Sequence, residues 1–168
     1  RKIKEKLLLC SCRIQEKDIC QRLFFQNKKK RGNKEMMIST RGRYALRVLL
    51  DLAENQKEGY IAMKQVAMRQ ELSLKYIEQI MPVLSKNHYV KGIQGKGGGY
   101  RLAREPKDYR VGDILRLAEG ELVPVACLEC NAKTCKRADT CKTLPMWKEF
   151  HHMVNHYFDN ITLLDLMK

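Results

Sequence analysis

The stretch Ser73–Leu102, SLKYIEQIMPVLSKNHYVKGIQGKGGGYRL, decides the fold. Ser73 is a favourable N-cap, and Ile77, Ile80, Met81 and Leu84 follow at the three- and four-residue spacing of a buried helical stripe. Lys75, Glu78 and Gln79 fall on the opposite face. Pro82 has no N–H to donate and costs about 3 kcal/mol in a regular helix, so a kink or late break is expected there. Tyr89–Ile93 then alternates as a strand, Gly95-Lys96-Gly97-Gly98-Gly99 turns, and Tyr100-Arg101-Leu102 returns. That is a β-hairpin with a flexible, basic tip.

Upstream, Ala45, Val48, Leu49 and Leu52 predict an amphipathic helix over residues 40–55, ended by Glu58-Gly59. Ile61, Val66 and Ala67 mark a second, short helix, and Gln70–Ser73 makes a tight connection to the third. Three helices followed by such a hairpin describe a winged helix-turn-helix, a mainly α fold. Downstream, a helix over Val111–Glu119 precedes a cysteine-bearing loop and a long helix over Lys142–Asn160. The long helix carries Met146, Phe150, Met153 and Tyr157 on one stripe, with Trp147, Val154 and Phe158 beside it. So wide an apolar face exceeds what one side of a small domain needs. It predicts a partner helix, most simply its own copy in a homodimer, because helix-turn-helix proteins commonly read two half-sites as pairs. The plainer alternative is a helix packed only on its own domain.

The formal charge of +14 is uneven. Residues 1–36 hold twelve Lys/Arg against four Asp/Glu, while the remaining 21 basic and 15 acidic residues leave +6. The first 36 residues begin with Arg, include Lys28-Lys29-Lys30-Arg31, and show no sustained periodicity. They read as a disordered basic arm, or as an upstream stretch attached by a misplaced start. The organisation expected is therefore an extension over 1–36, a DNA-binding domain over 37–104, and a helix, cysteine loop and pairing helix over 105–168. No apolar run approaches the roughly 18 residues that span a bilayer, so no membrane role and a cytoplasmic setting are expected.

A helix fits the major groove, where its exposed polar residues reach base edges. Glu78 suits cytosine N4 and Gln79 suits adenine, whereas Lys75 and Tyr76 also suit phosphates. Thr40, Arg41 and Arg43, at the mouth of the first helix, suit the DNA backbone. Gln94 and Lys96 belong to the wing, where neighbouring glycines allow close approach to a phosphate or the minor groove. Any one of these residues alone could be a solvated surface group; their joint arrangement carries the reading.

Cys127, Cys130, Cys135 and Cys141 fall within fifteen residues, whereas Met36–Ala126 has no cysteine. Clustered thiols in a reducing compartment read as metal or redox chemistry. Four thiolates suffice for a [2Fe–2S] or [4Fe–4S] cluster, and equally for a tetrahedral zinc site. A dithiol switch is a further alternative. Cys10, Cys12 and Cys20 are given no metal role.

Taken in order, Ile38–Arg47 (ISTRGRYALR), Ser73–Gln79, Gly95–Leu102, Val111–Leu115 and Asn160–Asp165 resemble the bacterial winged-helix transcription regulators that include IscR, NsrR and CymR. The resemblance covers about Met36–Lys168. It implies a homodimer on a partly palindromic double-stranded DNA operator, with Glu78 at a base-reading position. Where the iron–sulfur members have a wing Arg, this chain has Gln94, and Lys96 is the candidate to compensate. Cluster-binding members use three cysteines in this loop. The spacing of Cys127, Cys135 and Cys141 is similar to one branch, and that of Cys130, Cys135 and Cys141 to another. The position that supplies a histidine ligand in one member is Leu144 here, and the position of a partner-supplied Asp is Arg43. The extra cysteine is thus the expected fourth ligand, with His151 or His152 as distant alternatives. Members without these cysteines, such as CymR, act through protein partners.

Two other classes compete with regulation. A small iron–sulfur or metal carrier would show a redox couple and no operator footprint. An enzyme has little support: no nucleophile elbow or paired carboxylates stand in register, and Gly95–Gly99 lacks the ending of a phosphate-binding loop.

Overall fold

The computed structural model describes residues 38–95, 97–133 and 135–168. The basic arm expected over residues 1–36 lies outside them. Helix α1 spans Thr40–Glu54, α2 Met63–Gln70 and α3 Leu74–Lys86; strands β1 and β2 span Val90–Ile93 and Gly99–Leu102. Helices α4, α5 and α6 then cover Val111–Glu119, Leu144–Asp159 and Leu163–Leu166. The fold is a winged helix-turn-helix with a helical C-terminal half.

Helix α1 is the hub. Its stripe of Ala45, Val48, Leu49, Leu52 and Ala53 is at most 1% exposed, and α1 packs against α2, α3, α4, α6 and β2. Burying each such leucine contributes about 1.5–3 kcal/mol, so this stripe organises the core. The wing pairs Val90 with Leu102 and Ile93 with Gly99 in antiparallel register. Gly95 and Gly97 take φ of 101° and 81°, backbone that other residues rarely adopt.

Two expectations are corrected. Ile61 is not helical: it forms an isolated bridge with Tyr100, each N–H donating to the other's carbonyl at 2.9 Å. A buried β-branched residue suits that extended edge, and α2 starts only at Met63. Gly99 is needed there, since a Cβ would lie 2.3 Å from the Ile61 carbonyl oxygen. Helix α3 does not break at Pro82 but runs on to Lys86. Pro82 is exposed, so the Glu78 carbonyl it leaves without a helical donor lies on the solvent side, where water can serve it.

The chain end returns to the domain. Val111 N–H donates to the Ile161 carbonyl and Leu163 N–H to the Tyr109 carbonyl, both at 2.9 Å. Tyr109, 1% exposed, accepts at its hydroxyl from the N–H groups of Ala103 (2.9 Å) and Arg104 (3.0 Å) and donates to the Tyr89 carbonyl (2.6 Å). One hydroxyl thereby fixes the base of the wing against the start of α4.

Candidate nucleic-acid interface and cysteine loop

On α3, Lys75, Glu78 and Gln79 are exposed and Tyr76 is half-buried. The Tyr76 ring meets Tyr44 of α1 edge to face, with centroids 5.2 Å apart, a geometry that aromatic quadrupoles favour. Arg47 lies over the Tyr44 ring, 5.7 Å from its centroid. From there Arg47 donates to the Gln70 side chain at 3.2 Å and to the Gln70 carbonyl. Gln70 in turn donates to Asp51 at 3.1 Å. Asp51 is 1% exposed, and Arg69 binds it with two hydrogen bonds of 3.0 and 2.6 Å. A carboxylate so buried is tolerated only because it is paired. The Asp51 hydrogen bond in turn holds the Arg69 guanidinium above its ordinary pKa. This network bolts α2 to α1, and the Tyr44–Tyr76 contact leans α3 on the same frame.

At the mouth of α1, Ser39 caps the helix by accepting from Arg41 N–H at 3.1 Å. Glu119, at the end of α4, accepts through one oxygen from Ser39 N–H (3.1 Å), the Ser39 hydroxyl (2.6 Å) and Gly42 N–H (3.0 Å). A carboxylate at a helix N-terminus is favoured by the exposed N–H groups there. Gly42 permits the approach: a Cβ would lie 2.4 Å from Glu119 Oε1. Thr40 and Arg41 are half-buried, while exposed Arg43 donates to the Thr40 hydroxyl at 3.3 Å. Arg41, Tyr76, Gln79 and Ile80 line a hollow of about 150 Å³. The structure thus brings Arg41, Tyr76 and Gln79 together. Gln94 is exposed just beyond β1, and Lys96 lies outside the described residues.

The loop between α4 and α5 is pinned at its entry. Leu122 packs with Val111 and Leu115, against Phe158 and Ile161, and Asn155 of α5 donates to its carbonyl at 3.3 Å. Beyond Leu122, two single 3₁₀ turns, Ala126–Leu128 and Ala138–Thr140, interrupt otherwise irregular backbone. Cys127, Cys130 and Cys135 are exposed and Cys141 is half-buried. Cys130 N–H donates to Glu121 at 2.8 Å. The Thr143 hydroxyl, 3.5 Å from Cys141 Sγ, holds that thiol below its ordinary pKa. The donor set, four thiols near water, fits a soft metal centre by its chemistry. Among the described residues no three His, Cys, Asp or Glu side chains converge as a ligand set. Occupancy would therefore have to draw the thiols together.

Arg116 ties the two helices flanking this loop. It donates to Asp113 at 2.8 Å, to Asn155 at 3.0 Å and to Asp159. Burial works against its charge, but these carboxylates outweigh it and keep its pKa raised. On α5, Met146, Met153 and Tyr157 are 53%, 54% and 63% exposed, leaving most of the stripe at solvent in the single chain. Phe158, from the flank, packs into the core instead.

Several of these residues escaped the sequence reading. Asp51 left a faint signal, an acidic side chain within the apolar stripe of α1. Tyr44, Arg116 and Glu119 left none, because their partners are distant in sequence. Among the described residues, no helix is long and apolar enough to cross a membrane.

Comparison with known proteins agrees with this geometry. The Rrf2 family, described as iron-dependent transcriptional regulator, matches residues 38–168. Protein rrf2 of Nitratidesulfovibrio vulgaris is 38% identical over 133 residues, covering 79% of this chain and 88% of that protein. The HTH-type transcriptional regulator IscR of Serratia proteamaculans is 32% identical, covering 79% of each. Among solved structures, CymR, the global cysteine regulator of B. subtilis, is 37% identical with a TM-score of 0.64, covering 78% of this chain and 95% of that one. IscR of T. potens is 36% identical with a TM-score of 0.60, covering 78% and 85%. The chain belongs to the Rrf2 family, and with it is a DNA-binding transcription regulator rather than an enzyme.

Proposed function

We propose that this regulator is a cytoplasmic repressor that reads an operator as a homodimer and senses through its cysteine loop. Residues 37–104 form the reader and residues 105–168 the sensing and pairing half. Glu78 and Gln79 address base edges in the major groove, while Lys75, Tyr76, Thr40, Arg41 and Arg43 hold phosphates. Gln94 and Lys96 place the wing, and the Met146–Met153–Tyr157 stripe meets its own copy.

Cys127, Cys130, Cys135 and Cys141 would hold an iron–sulfur cluster, [2Fe–2S] in preference to [4Fe–4S]. Bound there, a cluster supplies a redox-active centre that ties the loop into one shape. The observation that carries the reading is the position of four accessible thiols between α4 and α5. Helix α4 ends in Glu119, which caps α1, and begins near Tyr109, which anchors the wing. A change in the loop thus acts on both parts of the reader. Its effect on DNA binding equals the difference in affinity between the two loop states. A zinc staple is the second reading, favoured by the same count of four thiols, a complete tetrahedral set.

Anaerobic purification followed by iron, sulfide and zinc analysis and an absorption spectrum separates the two. The expected result is a coloured protein holding iron and acid-labile sulfide. A colourless, zinc-loaded protein would overturn the cluster and leave DNA binding intact.

A further inference from the structure

Three of the four histidines in the chain lie on α5: His151, His152 and His156. His152 and His156 are both exposed, and their rings lie nearly parallel, 20° apart in plane, with centroids separated by 5.9 Å. Four residues apart on a helix, two side chains share one face, a spacing that lets both imidazoles reach a single ion. Asn160 donates to the His156 carbonyl at 2.7 Å and lies 3.2 Å from its ring nitrogens, so the C-terminal end of this face is already ordered. Exposed Glu149, three residues before His152, falls on the same line. At roughly 100° per residue the three side chains occupy an arc of about 60°. The face lies beside the Met153–Tyr157 stripe.

We infer that His152 and His156 form a solvent-open chelate for a divalent first-row transition metal ion, with Glu149 adding a negative charge one turn away. Imidazole is the ligand that nickel, copper and zinc share. Among the described residues no third protein donor converges on the pair, so water completes the coordination and the ion exchanges readily. Such a site differs from a closed structural zinc site, which takes four protein ligands. Its rigidity comes from α5 itself, which side-chain hydrogen bonds tie to Arg116 of α4 and to the Leu122 carbonyl. A metal bound there stabilises α5 by mass action and would act independently of whatever the thiols hold.

The test uses the full, untagged chain with all its cysteines capped by iodoacetamide, so that thiolates cannot bind the probe. Nickel(II) is titrated calorimetrically into the wild type and into His152→Ala, His156→Ala and His151→Ala. The proposal expects nickel binding by the wild type, weakened more than about tenfold by loss of either His152 or His156, because one imidazole then binds without its chelate partner. His151→Ala, off the line and half-buried, should bind as the wild type does. Retention of a wild-type helical spectrum by each variant checks folding. Absence of nickel binding by the capped wild type overturns the site, as does binding as tight as the wild type's by either His152→Ala or His156→Ala. Because the thiols are blocked throughout, neither outcome bears on the cluster.

Discussion

Glu78 and Lys96 are both proposed to face DNA, yet they should fail differently. Glu78, exposed on α3, is expected to read a base edge. Glu78→Ala should lower discrimination at one operator position by about 1–3 kcal/mol, read by competition among operator variants. Lys96→Ala should weaken operator and random duplex alike and reduce the salt slope by about one. Equal losses on both duplexes for Glu78→Ala would remove its assigned role. Glu119 was not legible, because its three donors lie about eighty residues upstream. Glu119→Ala leaves the first N–H groups of α1 without that acceptor and should cost about 0.5–2 kcal/mol in urea denaturation. It should also lower operator affinity through displacement of Thr40, Arg41 and Arg43, whereas Glu119→Gln, still an acceptor, should lose less.

Periodicity revealed α1, α3, α4 and α5 within one or two residues at most ends, since each carries an apolar stripe that must be buried. It misplaced Ile61, whose partner Tyr100 lies on the wing, and the break it allowed at Pro82 does not occur, since α3 runs on to Lys86. Helix α6 was too short to show a period; Leu163 and the hydrogen bonds around Tyr109 define it. The bolt between α1 and α2 is likewise a tertiary feature. Asp51→Ala removes the acceptor for Arg69 and Gln70 and should destabilise the domain by about 1–3 kcal/mol, moderated because Arg69 remains partly hydrated. Thermal unfolding would measure it, and an unchanged midpoint would dismiss the bolt. At α6, hydrogen bonding from the Thr162 side chain, then its backbone, and from Lys168 lowers the Asp165 pKa from 3.8 to about 2. A depressed carboxyl stabilises the fold above its unfolded pKa and loses that contribution as pH falls through the folded value. The α6 cap should therefore be complete above about pH 4 and fray as pH approaches 2, visible as faster amide exchange at Thr162 and Asp165.

At the scale of the molecule, three parts meet in one chain: the exposed α3 surface with the wing, a thiol loop, and an exposed stripe on α5. The family settles that the chain regulates transcription; the sequence pointed there through its glycine-rich wing and its α3 surface. Neither the periodicity nor the cysteine spacing could decide what the loop holds, because iron–sulfur clusters and zinc both accept four thiolates. Coupling is the central claim, since Glu119 and Arg116 run from the helices flanking the loop to α1 and α5. The most direct measurement is anaerobic fluorescence anisotropy on a promoter fragment selected from the protein's own genome, comparing cluster-loaded and cluster-stripped protein at one salt concentration. Coupling of the loop to the DNA-binding surface should give dissociation constants that differ by at least about fivefold, the lower range of allosteric coupling. Superimposable binding curves for the two forms would contradict it.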